Sequence, residues 1–597
     1  MICLRLSSYL HPCLKLFLLK TNSCSYMYPR HFGSHFTNQH KSEELHKMTD
    51  SDSIKLAPTD IAVFEVDATA GGDAVTAISH SHRGLRPRHL QLIAISGAIG
   101  SSVFISIGGP LTGGPLALLI GVSLWATVVW AISNFLVEMS TLLPIDGGFV
   151  HYSSRFLDQS IGFALGWNYF VTQVALIATE LTSFNVLVAY WAPDLHPAIC
   201  ISVGLVLLLV VQVVNVRVYG ETEFWISIFK VFLIVGMFIF TIVTMLGGNP
   251  LHDRYGFRFW KDPGPFAAST PTGRAYDIWH AVQWGAYGIV GPDYIALVGG
   301  EVKDPRRVLP KAFKSTIYRI IAFYVGGALF VGINAPYNDD NLLNASSKTA
   351  RSPYVINMNR LGIPVLPDIL TAGILLSLFS SGSSMAFAAS RTLYGLGLQG
   401  QAPKFVTKVN KHGLPYICVL ITLALSCLSY LAVSNGTNTV LTWLINLTTA
   451  TQLITWMVVA ASYLRFRAGL VAQGIGLDFL PARGFIPRFS AWYTLVWSAF
   501  ALIFSGYTFF GPGEFVVTDF IFTYGAVFIF ICCYAGWKLK DFLRNGSITW
   551  GVEAKDMDFK SDIEEIDAIT LAAEEKRATK PLSKFQHVTR RVFRAPS

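Results

Sequence analysis

The chain has 597 residues, of which 52% are hydrophobic and only 14% are charged. Soluble proteins carry about 25% charged residues, so a string of soluble domains is excluded despite the net charge of +9. The apolar residues instead form repeated runs of about 20 residues, the length of a bilayer-spanning helix. The composition predicts a polytopic membrane protein with no nucleic-acid partner, no cofactor and no metal. The soluble segments contain no nucleophile–base pair that would indicate an enzyme.

The chain begins with two segments of contrasting charge. Residues 1–47 contain six Lys or Arg residues and no acid before Glu43, a composition that loosely resembles a mitochondrial transit peptide. Translation starting at Met48 is an equally open alternative, in which residues 1–47 are an extension introduced by gene prediction. Residues 48–80 contain six acids against one lysine. We expect residues 1–80 to form a disordered cytosolic N-terminal tail.

Twelve spans are predicted inside a membrane domain that covers residues 81–538. They are residues 89–109, 116–138, 161–190, 198–216, 224–247, 276–299, 315–336, 366–390, 415–434, 439–464, 491–511 and 516–537. The third is long enough to be tilted or overestimated. Residues 539–597, with eleven basic and ten acidic residues, are predicted to be a solvated cytosolic tail.

The orientation follows from the Lys and Arg residues near the span ends. One side of the predicted membrane domain collects 21 of them and the other side 7. Basic residues mark the cytosolic side, and an even number of spans places both termini on the same side. Both termini are therefore expected in the cytosol.

The first and sixth spans contain residues that interrupt helices. Residues 96–102 (Ser-Gly-Ala-Ile-Gly-Ser-Ser) suit either close helix packing or a break in the helix. Residues 285–293 (Gly-Ala-Tyr-Gly-Ile-Val-Gly-Pro-Asp) add a proline and a carboxylate at mid-membrane. Irregular backbone at that depth is tolerated only inside protein or beside a water-filled cavity. The sixth span is therefore predicted to be broken.

These two spans occupy corresponding positions, because each is the first of a group of five. Interrupted spans at matching positions of two halves indicate a substrate site between inverted repeats. The free N–H groups of a broken helix favour an anion, and its free carbonyls favour a cation. A zwitterionic amino acid suits both. The pattern predicts a secondary transporter with a central site.

Two ionisable residues lie deep inside predicted spans, Glu180 and Lys230. A charge at the bilayer centre costs about 3 kcal/mol or more, so both side chains should face the bundle and have partners. They serve either ion coupling or a structural polar pair. The remaining ionisable residues lie near span ends and are expected at the membrane interface. They are Glu138, Asp277, His280 and Arg319.

The order of the sequence motifs resembles that of the fungal amino-acid permeases in the amino acid–polyamine–organocation superfamily, over residues 83–567. The matching stretches are residues 88–100, 162–169, 220–225, 247–260, 300–307, 390–395, 443–446 and 463–467. The branch that contains the yeast permease linked to carnitine and polyamine uptake looks nearest. The resemblance implies an all-α fold of the leucine-transporter type, with two inverted five-helix repeats followed by two helices. It also implies proton-coupled uptake at the plasma membrane.

The resemblance also implies which residues bind the substrate. The N–H groups of Gly100, Ser101 and Ser102 would hold its carboxylate. Backbone carbonyls of the two breaks would hold its amino group, and these belong to Gly97, Ala98, Tyr287, Gly288, Val290 and Gly291. Tyr287 matches an aromatic gate, and Asp293 stands where the family usually has Glu. Glu180 matches an acid associated with proton coupling, and Lys230 a lysine that replaces a sodium ion in related carriers.

The sequence departs from the family pattern at Ser102, at Pro292 and Asp293, and at Ile289, which replaces an aromatic residue. Three functions stay open. The first is a proton-coupled amino-acid symporter, and the second is a carrier of carnitine or polyamines, favoured by a cation–π contact with Tyr287 and by Asp293. The third is a sensor that binds amino acids and signals through its tails. The sequence indicates no oligomeric state.

Overall fold

The computed structural model describes residues 99–145, 147–213, 216–302, 304–343, 352–410, 414–510, 515–547 and 550–578. The regular secondary structure in these ranges is helical, which confirms the predicted all-α fold. The predictions for residues 1–80, and those for Gly97 and Ala98, fall outside the described residues.

Apart from four short 3-10 helices between them, seventeen helices are numbered here in chain order over the described residues. They are α1 (Ser102–Leu111), α2 (Pro115–Leu142), α3 (Gly148–Phe156), α4 (Gln159–Val188), α5 (Pro197–Val213), α6 (Val216–Met245), α7 (Pro271–Gly288), α8 (Pro292–Leu297), α9 (Pro305–Asn334), α10 (Asp340–Leu343), α11 (Pro353–Arg360), α12 (Leu366–Leu398), α13 (Tyr416–Asn435), α14 (Thr437–Ala472), α15 (Pro487–Tyr507), α16 (Val517–Asn545) and α17 (Ile563–Ala578).

Nine of these helices are long and apolar enough to cross a membrane, counted over the described ranges. Two shorter apolar helices, α1 and α5, occupy the predicted first and fourth spans. The sixth predicted span contains α7 and α8, separated by a break at residues 289–291. Twelve spans stay a prediction, because the first half of the first span is outside the described residues. The third span is one continuous helix of 30 residues, so its predicted length was not an overestimate.

The centre of the bundle consists of α4, α12 and α14. Within their most apolar stretches 78%, 72% and 72% of residues are buried, compared with 28% for α6 and 11% for α16. The low values identify α6 and α16 as outer helices with apolar faces open to lipid. The central helices therefore carry the buried polar residues that can form a site.

The chain after α16 packs onto the membrane domain, which contradicts the predicted solvated tail over residues 550–566. Met557, Phe559 and Ile566 are buried. The Phe559 ring stacks on Phe156, with ring centroids 5.5 Å apart. Burial of three large apolar side chains stabilises this segment by roughly 1.5–3 kcal/mol per side chain. The boundary at residue 538 stays a prediction.

Ion pairs at the ends of α3 and α4 fix the same segment. Arg155 pairs with Asp558 at 2.9 Å and with Asp562 at 2.8 Å. Asp158 accepts hydrogen bonds from Lys538 at 2.6 Å and from the N–H of Gly551 at 2.9 Å. Burial alone would raise the pKa of the Asp158 carboxyl, but hydrogen bonds from Lys538 and Ser160 hold that pKa below its usual value. The segment is thus tied to the loop between the second and third spans.

Glu138, predicted at the membrane interface, lies near the end of α2 and is buried within the protein. Its side chain is 1% exposed and accepts a hydrogen bond of 2.6 Å from the Tyr463 hydroxyl. Arg467 and the N–H of Gly484 contact the same carboxylate at 3.4 and 3.2 Å. A buried carboxylate needs such partners, and here they come from α14 and the loop that follows it.

Candidate functional site

The sixth span is broken where the sequence predicts. Helix α7 ends at Gly288 and α8 begins at Pro292. Gly291, between them, has a φ of +143°, a backbone conformation that residues with a Cβ rarely adopt. Pro292 occupies the first position of α8, where its missing N–H costs nothing and its fixed φ suits the helix. The departure from the family pattern at Pro292 is thus compatible with the break.

Asp293 closes the break of its own helix. Its Oδ1 accepts a hydrogen bond from the N–H of Gly291 at 3.1 Å, and the side chain is 2% exposed. The second oxygen, Oδ2, has no hydrogen-bond partner among the described residues. Gln452 of α14 and Tyr169 of α4 lie beside the carboxyl group. Asp293 therefore acts as a local cap and faces α4 and α14.

The break of the first span is closed by a different helix. Ile99 and Gly100 form a bend, and the helix that follows is a π-helix over Ser102–Ser106. The N–H of Ser101 donates to both oxygens of the Glu180 carboxylate, at 3.1 and 3.2 Å. The first N–H groups of a helix lack partners within it and carry partial positive charge. Glu180 of α4 therefore caps α1 from across the bundle.

This cap requires a glycine at position 100. A Cβ added there would lie 2.2 Å from Glu180 Oε1 and 2.6 Å from the Ser381 hydroxyl oxygen. Both distances are far shorter than real contacts, so only glycine allows the carboxylate to come this close.

The two breaks meet at the centre of the bundle. The hydroxyls of Ser101 and Tyr287 are hydrogen-bonded at 3.0 Å. A Cβ added at Gly288 would lie 3.1 Å from the Cβ of Ser102, so the two backbones pack closely here. Ser101 and Tyr287 are 1% and 3% exposed. The centre is closed to solvent in this conformation, and Tyr287 lies against the first break; its role as a gate stays a prediction.

The predicted binding residues divide into two groups. Gly100, Ser101, Ser102, Tyr287 and Gly288 come together where the breaks meet. The others lie along the sixth break and its following helix. These are Val290, Gly291 and Asp293.

The Ser101 N–H, predicted to bind the substrate carboxylate, donates to Glu180 in this conformation, so substrate binding there stays a prediction. A carboxylate of the protein and one of a substrate suit a helix N-terminus equally well.

Lys230 and a second carboxylate lie behind this centre. Lys230 is fully buried, and Glu223, on the same helix α6, is 4% exposed. The Lys230 ammonium lies within electrostatic reach of both carboxylates, first Glu223 and then Glu180. Oε1 of Glu223 accepts hydrogen bonds from Ser380 at 2.5 Å and from Ser384 at 3.0 Å.

Sequence reasoning missed Glu223 and the α12 serines. Glu223 precedes the predicted start of the fifth span at residue 224 by one position, and helix α6 begins at Val216 instead. The available signal was spacing, because residues seven apart share one face of a helix, and Glu223 is seven residues before Lys230. The run Ser380-Ser381-Gly382-Ser383-Ser384 within an apolar span was a second signal.

The sequence is similar to known proteins over most of its length. The sequence profile of the amino acid permease family matches residues 89–544. A proline-specific permease of Emericella nidulans is 38% identical over 497 residues, which cover 82% of this chain and 89% of that protein. The general amino acid permease AGP2 of Saccharomyces cerevisiae is 37% identical, covering 82% and 84%. Among solved structures, a manganese transporter of Eremococcus coleocola superposes with a TM-score of 0.46 at 15% identity, covering 77% of this chain and 94% of that one.

Proposed function

Since the chain belongs to the amino acid permease family, we propose that it is a proton-coupled symporter that takes up a small neutral amino acid across the plasma membrane. Both termini would lie in the cytosol, as the distribution of basic residues predicts. The observation that carries the proposal is the bond between the Ser101 N–H and the Glu180 carboxylate. Transport of this kind needs no covalent chemistry, in keeping with the expectation of no enzyme activity.

Coupling follows from competition between two carboxylates for one helix N-terminus. An ionised Glu180 holds the Ser101 N–H with a charge-assisted hydrogen bond, the stronger kind. A proton from the external water makes Glu180 neutral and weakens that bond. The substrate carboxylate then takes the N-terminus of α1, where the helix dipole favours an anion. Loss of the proton to the cytosol restores the Glu180 cap and expels the substrate.

The packing at the breaks favours a small substrate. Ser102 adds a side chain where the family usually has glycine, and it lies against Gly288. The carbonyls of residues 289 and 290, between α7 and α8, suit the substrate ammonium group. The two permeases named above support an amino acid as the substrate, and one of them is named as specific for proline. We therefore choose L-proline as the first substrate to test.

The alternative of a carnitine or polyamine carrier loses part of its support. It depended on a cation–π contact with Tyr287 and on Asp293 facing a cationic head group, and one of the two Asp293 oxygens caps its own helix. A measurement of substrate uptake distinguishes the sensor alternative from a carrier, because a sensor binds the amino acid without transporting it.

The decisive experiment uses the full chain in proteoliposomes with an inside-alkaline pH gradient. Radiolabelled L-proline, glycine, L-lysine, carnitine and spermidine are offered separately, with and without a proton uncoupler. We expect L-proline to accumulate above its external concentration, and the uncoupler to abolish the accumulation. Accumulation of L-proline that is unchanged by the uncoupler would refute proton coupling. Binding of L-proline without any uptake would identify a sensor.

A further inference from the structure

Three charged side chains share the buried space between α4, α6 and α12. Glu180, Lys230 and Glu223 are 4%, 0% and 4% exposed. Glu223 and Lys230 lie two helical turns apart on one face of α6. Ser227 is on the same face between them and is also fully buried. The lysine therefore shares this buried space with an acid on its own helix and another on α4.

A run of serines in α12 contacts both acids. Ser380 and Ser384, one helical turn apart, donate to Oε1 of Glu223. Ser381, the next residue after Ser380, lies beside the Glu180 carboxylate at the position where Gly100 leaves room. Neighbouring residues of one helix thus lie against two different carboxylates, one of them hydrogen-bonded to Ser380 and Ser384. Gln212 of α5 donates to Ser383 at 2.7 Å and supports the same run.

The charge count of this group is uneven. Two carboxylates and one ammonium carry a net charge of −1 when all three are ionised. An uncompensated charge inside a membrane protein is costly. One bound proton makes the group neutral. If Lys230 had only Glu180 as its partner, the pair would be neutral without any proton.

Building on the proposed function, we propose that Glu223 is the counter-charge that obliges Glu180 to bind one proton in each transport cycle. Glu223, held by two serines, shares the Lys230 ammonium with Glu180, so one positive charge serves two carboxylates. Glu180 is then the acid that must be neutralised, by a proton from the external water that later leaves to the cytosol. Glu223 is a positioning residue in this scheme, since it acts through Lys230 and not on the substrate.

The first test replaces Glu223 with glutamine. Glu223→Gln removes one of the two carboxylates, so the Lys230 ammonium can take the place of the proton in neutralising Glu180 and weakening its hold on the Ser101 N–H. Proteoliposomes containing a trapped pH-sensitive dye report the protons that enter per L-[14C]proline. We expect this ratio to fall to near zero in Glu223→Gln, while exchange of internal for external proline stays measurable, because exchange moves no net proton. The control is Glu221→Gln, two residues away on the exposed face of α6, which should keep the wild-type ratio.

The second test restores the charge count. In the double variant Glu223→Gln, Lys230→Met, Glu180 is the single remaining charge of the three and must again be protonated to be neutral. The proton-to-proline ratio should return to the wild-type value, although each substitution alone disturbs coupling. A merely structural role for Glu223 predicts the opposite, that the double variant is at least as defective as either single variant.

The outcomes separate this inference from the proposed function. A wild-type protein that moves proline without protons would refute the proposed function itself. A coupled wild type together with an unchanged ratio in Glu223→Gln would overturn the role of Glu223 alone. If Glu223→Gln does not fold, the double variant decides, and its failure to fold or to couple would also overturn the inference.

Discussion

The first and sixth spans are both broken at the membrane centre, and their breaks are closed in different ways. The sixth is closed from within, because Asp293 caps the helix to which it belongs. The first is closed by a residue of another helix, because Glu180 on α4 caps α1. A cap within one helix moves with that helix, whereas a cap between two helices holds them in one arrangement. Titration of Glu180 can therefore change the conformation, and titration of Asp293 need not.

The largest effect is expected from Glu180→Gln. This variant removes the ionisable group from the cap of α1, so that neither break is closed by a group that gains and loses a proton during transport. The amide oxygen still accepts a hydrogen bond from Ser101, so the closed centre should form. Accumulation of L-proline above the external concentration should disappear while exchange persists, since a neutral side chain carries no proton. Radiolabel accumulation in proteoliposomes measures this. Uphill accumulation that still follows the pH gradient would refute the coupling role of Glu180.

The next largest effect is expected from Gly100→Ala, which displaces the Glu180 carboxylate from the N-terminus of α1. The new Cβ would overlap Glu180 Oε1, and overpacking of this kind costs about 1–3 kcal/mol, equivalent to roughly 5- to 150-fold in an equilibrium. Maximal uptake should fall by a factor in that range. Gly109→Ala is the matched control, since a Cβ at Gly109 of α1 meets nothing within 4 Å. Equal activities of the two variants would contradict the tight approach of Glu180.

A smaller effect is expected from Tyr287→Phe, which removes the hydrogen bond that joins the two breaks. A neutral hydrogen bond contributes about 0.5–1.5 kcal/mol, so the KM for L-proline should change by about two- to ten-fold with little change in surface abundance. Tyr493→Phe is the control, because the Tyr493 hydroxyl bonds Thr127 away from both breaks. A Tyr287→Phe variant with the wild-type KM would show that this bond does not bear on binding.

The smallest effect is expected from Asp293→Asn. Asparagine caps helices about as well as aspartate, so the KM values for the substrate panel should stay within about two-fold of wild type. If Asp293 contacts the cationic group of the substrate instead, loss of a charge-assisted bond worth about 1.5–3 kcal/mol would raise the KM roughly 10- to 150-fold. Uptake kinetics over the panel distinguish the two roles.

The positions of the breaks could be predicted from the sequence because glycine, serine and proline disturb a helix locally. The break after Gly288 and the turn at Gly291 lie where residues 285–293 place them. The partner of the Ser101 N–H could not be predicted in the same way. A helix N-terminus accepts any nearby anion, and only the packing of α4 against α1 shows that Glu180 is the anion in this conformation.

Glu223 and the C-terminal segment escaped prediction for different reasons. A span estimated from hydropathy starts where the apolar residues start, whereas α6 begins eight residues earlier, at Val216, and carries Glu223 into the core. In the C-terminal segment, the many acidic and basic residues give the composition of a solvated tail, although Met557 and Phe559 are apolar. Their burial depends on the surface formed by α3 and α14. The sequence around Met557 and Phe559 does not indicate that they pack against these helices.

In the proposed transport cycle, Glu180 and the substrate carboxylate compete for the N-terminus of α1. Equilibrium binding of L-proline as a function of pH, in wild type and in Glu180→Gln, tests it most directly. Because proton and substrate binding are linked reciprocally, the wild-type Kd should fall as the pH is lowered, by up to about ten-fold per pH unit for one linked proton. The Glu180→Gln Kd should be independent of pH and close to the low-pH value of wild type. A Glu180→Gln variant that keeps the wild-type pH dependence would contradict the account.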